Sequence, residues 1–169
     1  MAANGQLAKA TFGAGCFWGT EKFFKKEFGD GIVNAVVGYT GGHSQNPTYK
    51  QVCTGTTGHA EALEIEYRPE KVKYEDLVRF FFKFHDPTTL NRQGNDVGTQ
   101  YRSAIFYYNP EQLEIAKAVT AEMQPLWKRP ITTSFEPAGV FWLAEDYHQK
   151  YLEKNPAGYC NHYVRPLSK

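Results

Sequence analysis

The chain has 169 residues, enough for one domain with a real core and rather few for two. Its 19 basic and 18 acidic residues leave a net charge of +1, which gives no electrostatic case for nucleic acid or an anionic membrane. Aromatic residues make up 15% of it, more than a lean core needs, so some are expected to line a pocket. No apolar run approaches the roughly 20 residues that span a bilayer. Met1 to Lys9 lack the apolar stretch of a secretory signal, so the cytoplasm is the expected location. Cys16, Cys53 and Cys160 are odd in number and widely spaced. That fits reduced thiols, or one redox pair with a spare, better than a disulfide scaffold.

Residues 9–13 read as a short strand. Phe17, Thr20, Phe24 and Phe28 fall at i, i+3, i+7 and i+11, one stripe of a helix over 17–28. Ile32 to Tyr39 is a β-branched, mostly apolar run, hence a buried strand. Glycines with Asn46 and Pro47 mark a long loop through about Tyr49. Leu63, Ile65 and Tyr67 alternate with Glu64 and Glu66, a half-buried strand closed by Pro69. Leu77, Phe80, Phe81 and Phe84 predict an amphipathic helix that stops at His85-Asp86-Pro87. Residues 86–102 read as a second long polar loop, a length that is usually functional or disordered. Ser103 to Tyr108 reads as the next strand. Asn109 as N-cap and Pro110 at N1 open a helix to about Trp127. A last strand is expected at Thr132 to Phe135 and a short helical stretch at Glu145 to Leu152. The order predicts an α+β two-layer sandwich with a ferredoxin-like βαββαβ core, long loops and a coil-rich C-terminal tail. Residues 1–169 are expected to form a single catalytic domain, with 1–8 flexible and 153–169 a mobile tail.

Several constellations could carry chemistry. Cys16 stands at the start of the first helix, where free N–H groups and the helix dipole favour a thiolate. Most free cysteines are inert core residues, and spacing alone leaves both readings open. Gly13, Gly15 and Gly19 suggest a loose dinucleotide fingerprint. It fails because Cys16, Phe17 and Trp18 crowd the turn, and no acidic residue follows the second strand. Glu61 shares parity with Leu63, Ile65 and Tyr67. If the strand reaches back to it, the carboxyl points inward and stays protonated, as a general acid requires. If the strand starts later, Glu61 is a solvated loop residue. No histidine has zinc-ligand spacing, so no metal is expected. A Cys16/His148 dyad has no supporting motif. Cys53 follows Val52 and reads as structural. Cys160 lies in a tail with Pro156 and Gly158, where a thiol can condense with a sulfenic acid or simply be incidental.

Five segments resemble the motifs of the A-type methionine sulfoxide reductases: Gly15-Cys16-Phe17-Trp18-Gly19, Asn46-Pro47-Thr48-Tyr49, Gly58-His59-Ala60-Glu61, Gly94 to Tyr101, and Gly158-Tyr159-Cys160. The resemblance runs from about Thr11 to Cys160. It implies Cys16 as nucleophile, Glu61 as proton donor, and Tyr49 and Tyr101 as hydrogen-bond donors to the sulfoxide oxygen. Asp96 would organise the site, Phe17 and Trp18 would bind the S-methyl group, and Cys160 would recycle Cys16. The implied substrate is methionine S-sulfoxide, free or in oxidised proteins. The implied reductant is thioredoxin or another dithiol, with no metal or organic cofactor, and the expected state is a monomer. Many members carry a second tail cysteine, and no cysteine follows Cys160 here. A cysteine peroxidase, or a binding module holding a methylated side chain, is the rival reading.

Overall fold

The computed structural model describes residues 7–15, 17–93 and 96–149. Cys16, Gly94, Asn95, the first six residues and everything from Lys150 onward lie outside them, so the expected tail and Cys160 do too.

Six strands form one mixed sheet: β1 (Ala8–Ala14), β2 (Ile32–Thr40), β3 (Ala60–Tyr67), β6 (Ser103–Tyr107), β7 (Ser134–Pro137) and β8 (Trp142–Leu143). Two further two-residue strands, β4 (Arg92–Gln93) and β5 (Asp96–Val97), pair with each other. The sheet order is β7-β6-β1-β3-β2-β8. Every pairing is antiparallel except β6 with β7, which is parallel. The helices are α1 (Phe17–Phe28), α2 (Tyr49–Cys53), α3 (Tyr74–Phe84) and α4 (Pro110–Met123).

Side chains alternate across the sheet, and the two faces bury different clusters. Ala10, Phe12, Val37, Leu63 and Ile65 join Phe24, Leu77, Phe81 and Val119 from the helices in the main core. Phe12 stacks at 5.2 Å on both Phe24 and Phe81, which locks α1 and α3 over β1. Ala60, Ala62, Ala104 and Phe106 face the other way and are covered by Ala138 and Phe141. Gly38 admits that cover, because a Cβ there would collide with the Trp142 carbonyl and the Phe141 ring.

The structure departs from expectation mostly in short elements. The loop before Tyr49 ends in α2, started by a capping box of Thr48 and Gln51. Helix α4 stops at Met123 and gives way to a 3₁₀ turn at Gln124–Leu126, because Pro125 lacks a donor and clashes with the preceding turn. The last parallel strand lies at Ser134–Pro137, two residues later than expected. The helical stretch expected at 145–152 is a 3₁₀ turn, Asp146–His148, within the described residues. The long loop at 86–102 contains β4, β5 and a 3₁₀ turn at Thr99–Tyr101. No described helix is long and apolar enough to cross a membrane.

Candidate active site

The site forms where β1 turns into α1. Gly15 has φ 88°, a left-handed backbone that a side chain would strain, and it redirects the chain into the helix. Cys16 follows in the sequence, and Phe17 opens α1. Glu61 comes to the same place from the neighbouring strand. Strand β3 begins at Ala60, so Glu61 is inside it and keeps the parity of Leu63. It is only 1% exposed. Its Oε1 accepts the Phe17 N–H at 3.3 Å. Its Oε2 is buried and has no hydrogen-bond partner among the described residues. Burial pushes the carboxyl up to about 8; the Phe17 N–H opposes this and the charge of Asp96 adds to it. Near neutral pH most of this carboxyl carries its proton.

Two phenols face it from separate elements. Tyr49 is the first residue of α2 and Tyr101 the last of the 3₁₀ turn. Burial first, then the neighbouring Glu61, holds the Tyr49 hydroxyl protonated far above the usual phenol range. Both phenols act on the thiol of Cys53. The Gln100 amide also donates to the Cys53 carbonyl at 3.3 Å, tying the Tyr101 turn to α2. Cys53 is exposed, at the edge of the site. Burial of its sulfur raises the thiol, and the two phenols pull the other way.

A segment from the far end of the described chain holds these groups in place. The Glu145 carboxylate accepts the Tyr49 N–H at 3.0 Å and the Tyr39 hydroxyl at 2.9 Å. Burial alone would raise this carboxyl; those bonds outweigh it and lower it. The Trp18 indole N–H donates to His148 Nδ1 at 3.0 Å. An indole can only donate, so the neutral imidazole carries its proton on Nε2. The His148 ring lies 4.4 Å from that of Tyr49 and 5.3 Å from that of Phe17. The Gln149 amide then pairs with both the N–H and the C=O of Val37 on β2.

Two more braces set the loops. Arg102 forms a bidentate pair with Glu136, at 2.9 and 3.1 Å, and donates to the carbonyls of Gly58 and Thr99. It thus joins the approach to Glu61 to the turn bearing Tyr101. His59 accepts the Gly42 N–H on Nδ1 and donates from Nε2 to the Ser44 carbonyl at 2.7 Å, which pins the loop that leads to Tyr49. No group of three or more metal-ligating side chains occurs among the described residues.

The profile of the peptide methionine sulfoxide reductases matches residues 8–169. The chain belongs to that family. A relative from Methanothermobacter thermautotrophicus, the peptide methionine sulfoxide reductase MsrA, is 55% identical over 95% of this chain and 95% of its own. A probable peptide methionine sulfoxide reductase of Schizosaccharomyces pombe is 53% identical over 92% of this chain and 95% of its own. Among solved structures, reduced Mxr1 of Saccharomyces cerevisiae superposes with a TM-score of 0.92, at 42% identity over 98% of this chain and 96% of that one. Mxr1 has also been solved in complex with Trx2, and that form matches with a TM-score of 0.67 at 28% identity, over 98% of this chain and 94% of that one.

Of the residues the family resemblance points to, Glu61, Tyr49 and Tyr101 share one site, with Asp96 acting on Glu61 through its charge. Phe17 and Trp18 form its aromatic side, with Phe17 fully buried and Trp18 half-buried. Cys16 and Cys160 lie outside the described residues. Sequence reasoning missed Glu145, His148 and Arg102 as parts of this assembly. Glu145 and His148 stand close in the sequence, but their partners are about a hundred residues away.

Proposed function

We propose that the chain reduces methionine S-sulfoxide, free or in oxidised proteins, to methionine. The observation that carries this reading is Glu61: a buried, mostly protonated carboxyl beside two phenols and one peptide unit from Cys16. Phe17 and Trp18 take the S-methyl group. Glu61 and the hydroxyls of Tyr49 and Tyr101 hold the sulfoxide oxygen, and proton transfer toward it makes the sulfur electrophilic. The Cys16 thiolate attacks, the oxygen passes to it, and methionine leaves with Cys16 as a sulfenic acid. Cys160 attacks that sulfur; water leaves and a disulfide forms. Thioredoxin or a similar dithiol reduces the bond by exchange, a partner supported by the complex of Mxr1 with Trx2. The net change is one sulfoxide and one dithiol converted to methionine, water and one disulfide.

The same proposal takes the chain as a monomeric single domain of the cytoplasm that needs no metal or organic cofactor, since each step above uses only side chains and a dithiol. It also takes the core as ferredoxin-like. The antiparallel order β6-β1-β3-β2, with α1 and α3 as the two crossovers, supports that reading. The test is turnover of methionine sulfoxide against hydrogen peroxide by the pure protein, with Cys16→Ser as control. Faster turnover of peroxide, or a Cys16→Ser protein within about tenfold of wild type, refutes the reading.

A further inference from the structure

We propose that His148 is a positioning residue for substrate binding: its neutral Nδ1 holds the Trp18 indole in the methyl pocket, and protonation at acid pH releases it. The inference rests on the methyl pocket described above.

The geometry is specific. The indole N–H has His148 Nδ1 at 3.0 Å. The imidazole stacks at 5.6 Å on Trp18, and Phe17 and Tyr49 pack on it as well. His148 is 2% exposed, so water cannot readily replace the lost acceptor. Once Nδ1 is protonated, two N–H groups would point at each other, and the indole would have to move.

The groups facing the ring are few among the described residues. Phe17 and Trp18 on α1 bring no charge. Tyr49 on α2 brings a phenol that stays protonated. Glu145, on the histidine's own segment, is the charge that acts on it, and Asp146 beside it is exposed. Burial lowers the imidazole below its ordinary value, against the pull of Glu145, so it is neutral at pH 7. Glu61 gains its proton at higher pH and therefore brings no loss of its own on the acid side.

The experiment compares wild type, Trp18→Phe, His148→Phe and His148→Gln. It reads KM and kcat for methionine sulfoxide, and tryptophan emission, from pH 5 to 8. His148→Phe keeps a ring but offers no acceptor, and should raise KM about five- to tenfold with kcat within about twofold. His148→Gln can accept through its amide oxygen, so it should rescue KM and abolish the rise in KM at acid pH. Wild-type emission should show an acid step, since an imidazolium quenches a neighbouring indole. That step should vanish in Trp18→Phe and in His148→Gln. Protonation of the nucleophilic thiol would instead appear in kcat and persist in the glutamine variant. A wild-type KM in His148→Phe, when Trp18→Phe raises KM, overturns the inference alone. So does an acid rise in KM that survives in His148→Gln. An unchanged KM in Trp18→Phe overturns the methyl pocket and this inference with it. The wild-type profile needs no folded variant: a flat KM and flat emission across the range also refute the proposal.

Discussion

Replacing Glu61 by glutamine tests the acid through both rate and stability. Its carboxyl moves from an ordinary value of 4.5 to about 8 on folding. Between those pH values the folded chain holds a proton that the unfolded chain has released. Unfolding free energy therefore falls as pH rises through this window. The proton's contribution is intact below about 4.5 and lost above about 8. A shift of that size corresponds to roughly 5 kcal/mol. Glutamine has nearly the same shape and no proton to lose, so its stability lacks this slope. Urea unfolding at pH 5, 7 and 9 should show the variant gaining on wild type by about 2.5 kcal/mol from pH 5 to 7 and about 4 kcal/mol from pH 5 to 9. All other groups titrate in both proteins and cancel in the difference. The same substitution should slow sulfoxide reduction by about 10² to 10⁴, and wild-type kcat/KM should fall above pH about 8. Stability curves that run parallel across this range, with a rate near wild type, would show that the carboxyl is ionised at neutral pH and is not the acid.

Cys160→Ser should still yield about one equivalent of methionine per protein, with a trappable sulfenic acid, but turn over slowly with thioredoxin; peptide mapping that finds a Cys16–Cys53 bridge in the wild type would refute this. Tyr49→Phe and Tyr101→Phe should each cost less than about tenfold in kcat/KM, and together more than the product, because both hydroxyls serve one oxygen; strict additivity would place them on different groups. Arg102→Met should destabilise the fold by about 2–3 kcal/mol, as it strands the half-buried Glu136 and leaves the Gly58 and Thr99 carbonyls unbound. A loss below about 1 kcal/mol in urea unfolding would make that brace incidental.

The long elements were legible because their signal is local. The stripe of Leu77, Phe80, Phe81 and Phe84 and the alternation through β3 are both read from neighbours a few residues apart, and both elements formed. The reach of β3 back to Glu61 was not local: it depends on pairing with Tyr39 of β2. The two-residue strand β8 carries too little sequence for any period, and it exists because β2 offers an edge. The Cys53 contacts, the Arg102 brace and the clamp of Glu145 and His148 join positions brought together only by folding. Residue types there announce a polar cluster but not its partners. Tyr49 and Tyr101 were nameable through the resemblance, whereas their packing on His148 and Cys53 was not.

The Gln149 amide has a consequence for the chain that follows it. By copying a strand's pairing on Val37, it fixes a tether point beside the reacting groups. Cys160 comes eleven positions later in the sequence, so no path can carry it more than about 40 Å from that point. One thiol confined to a sphere of that radius has a local concentration on the order of millimolar. On the proposed mechanism, closing the disulfide is then a first-order event whose rate ignores how dilute the protein is. An outside thiol would have to reach millimolar levels before it could compete for the sulfenic acid.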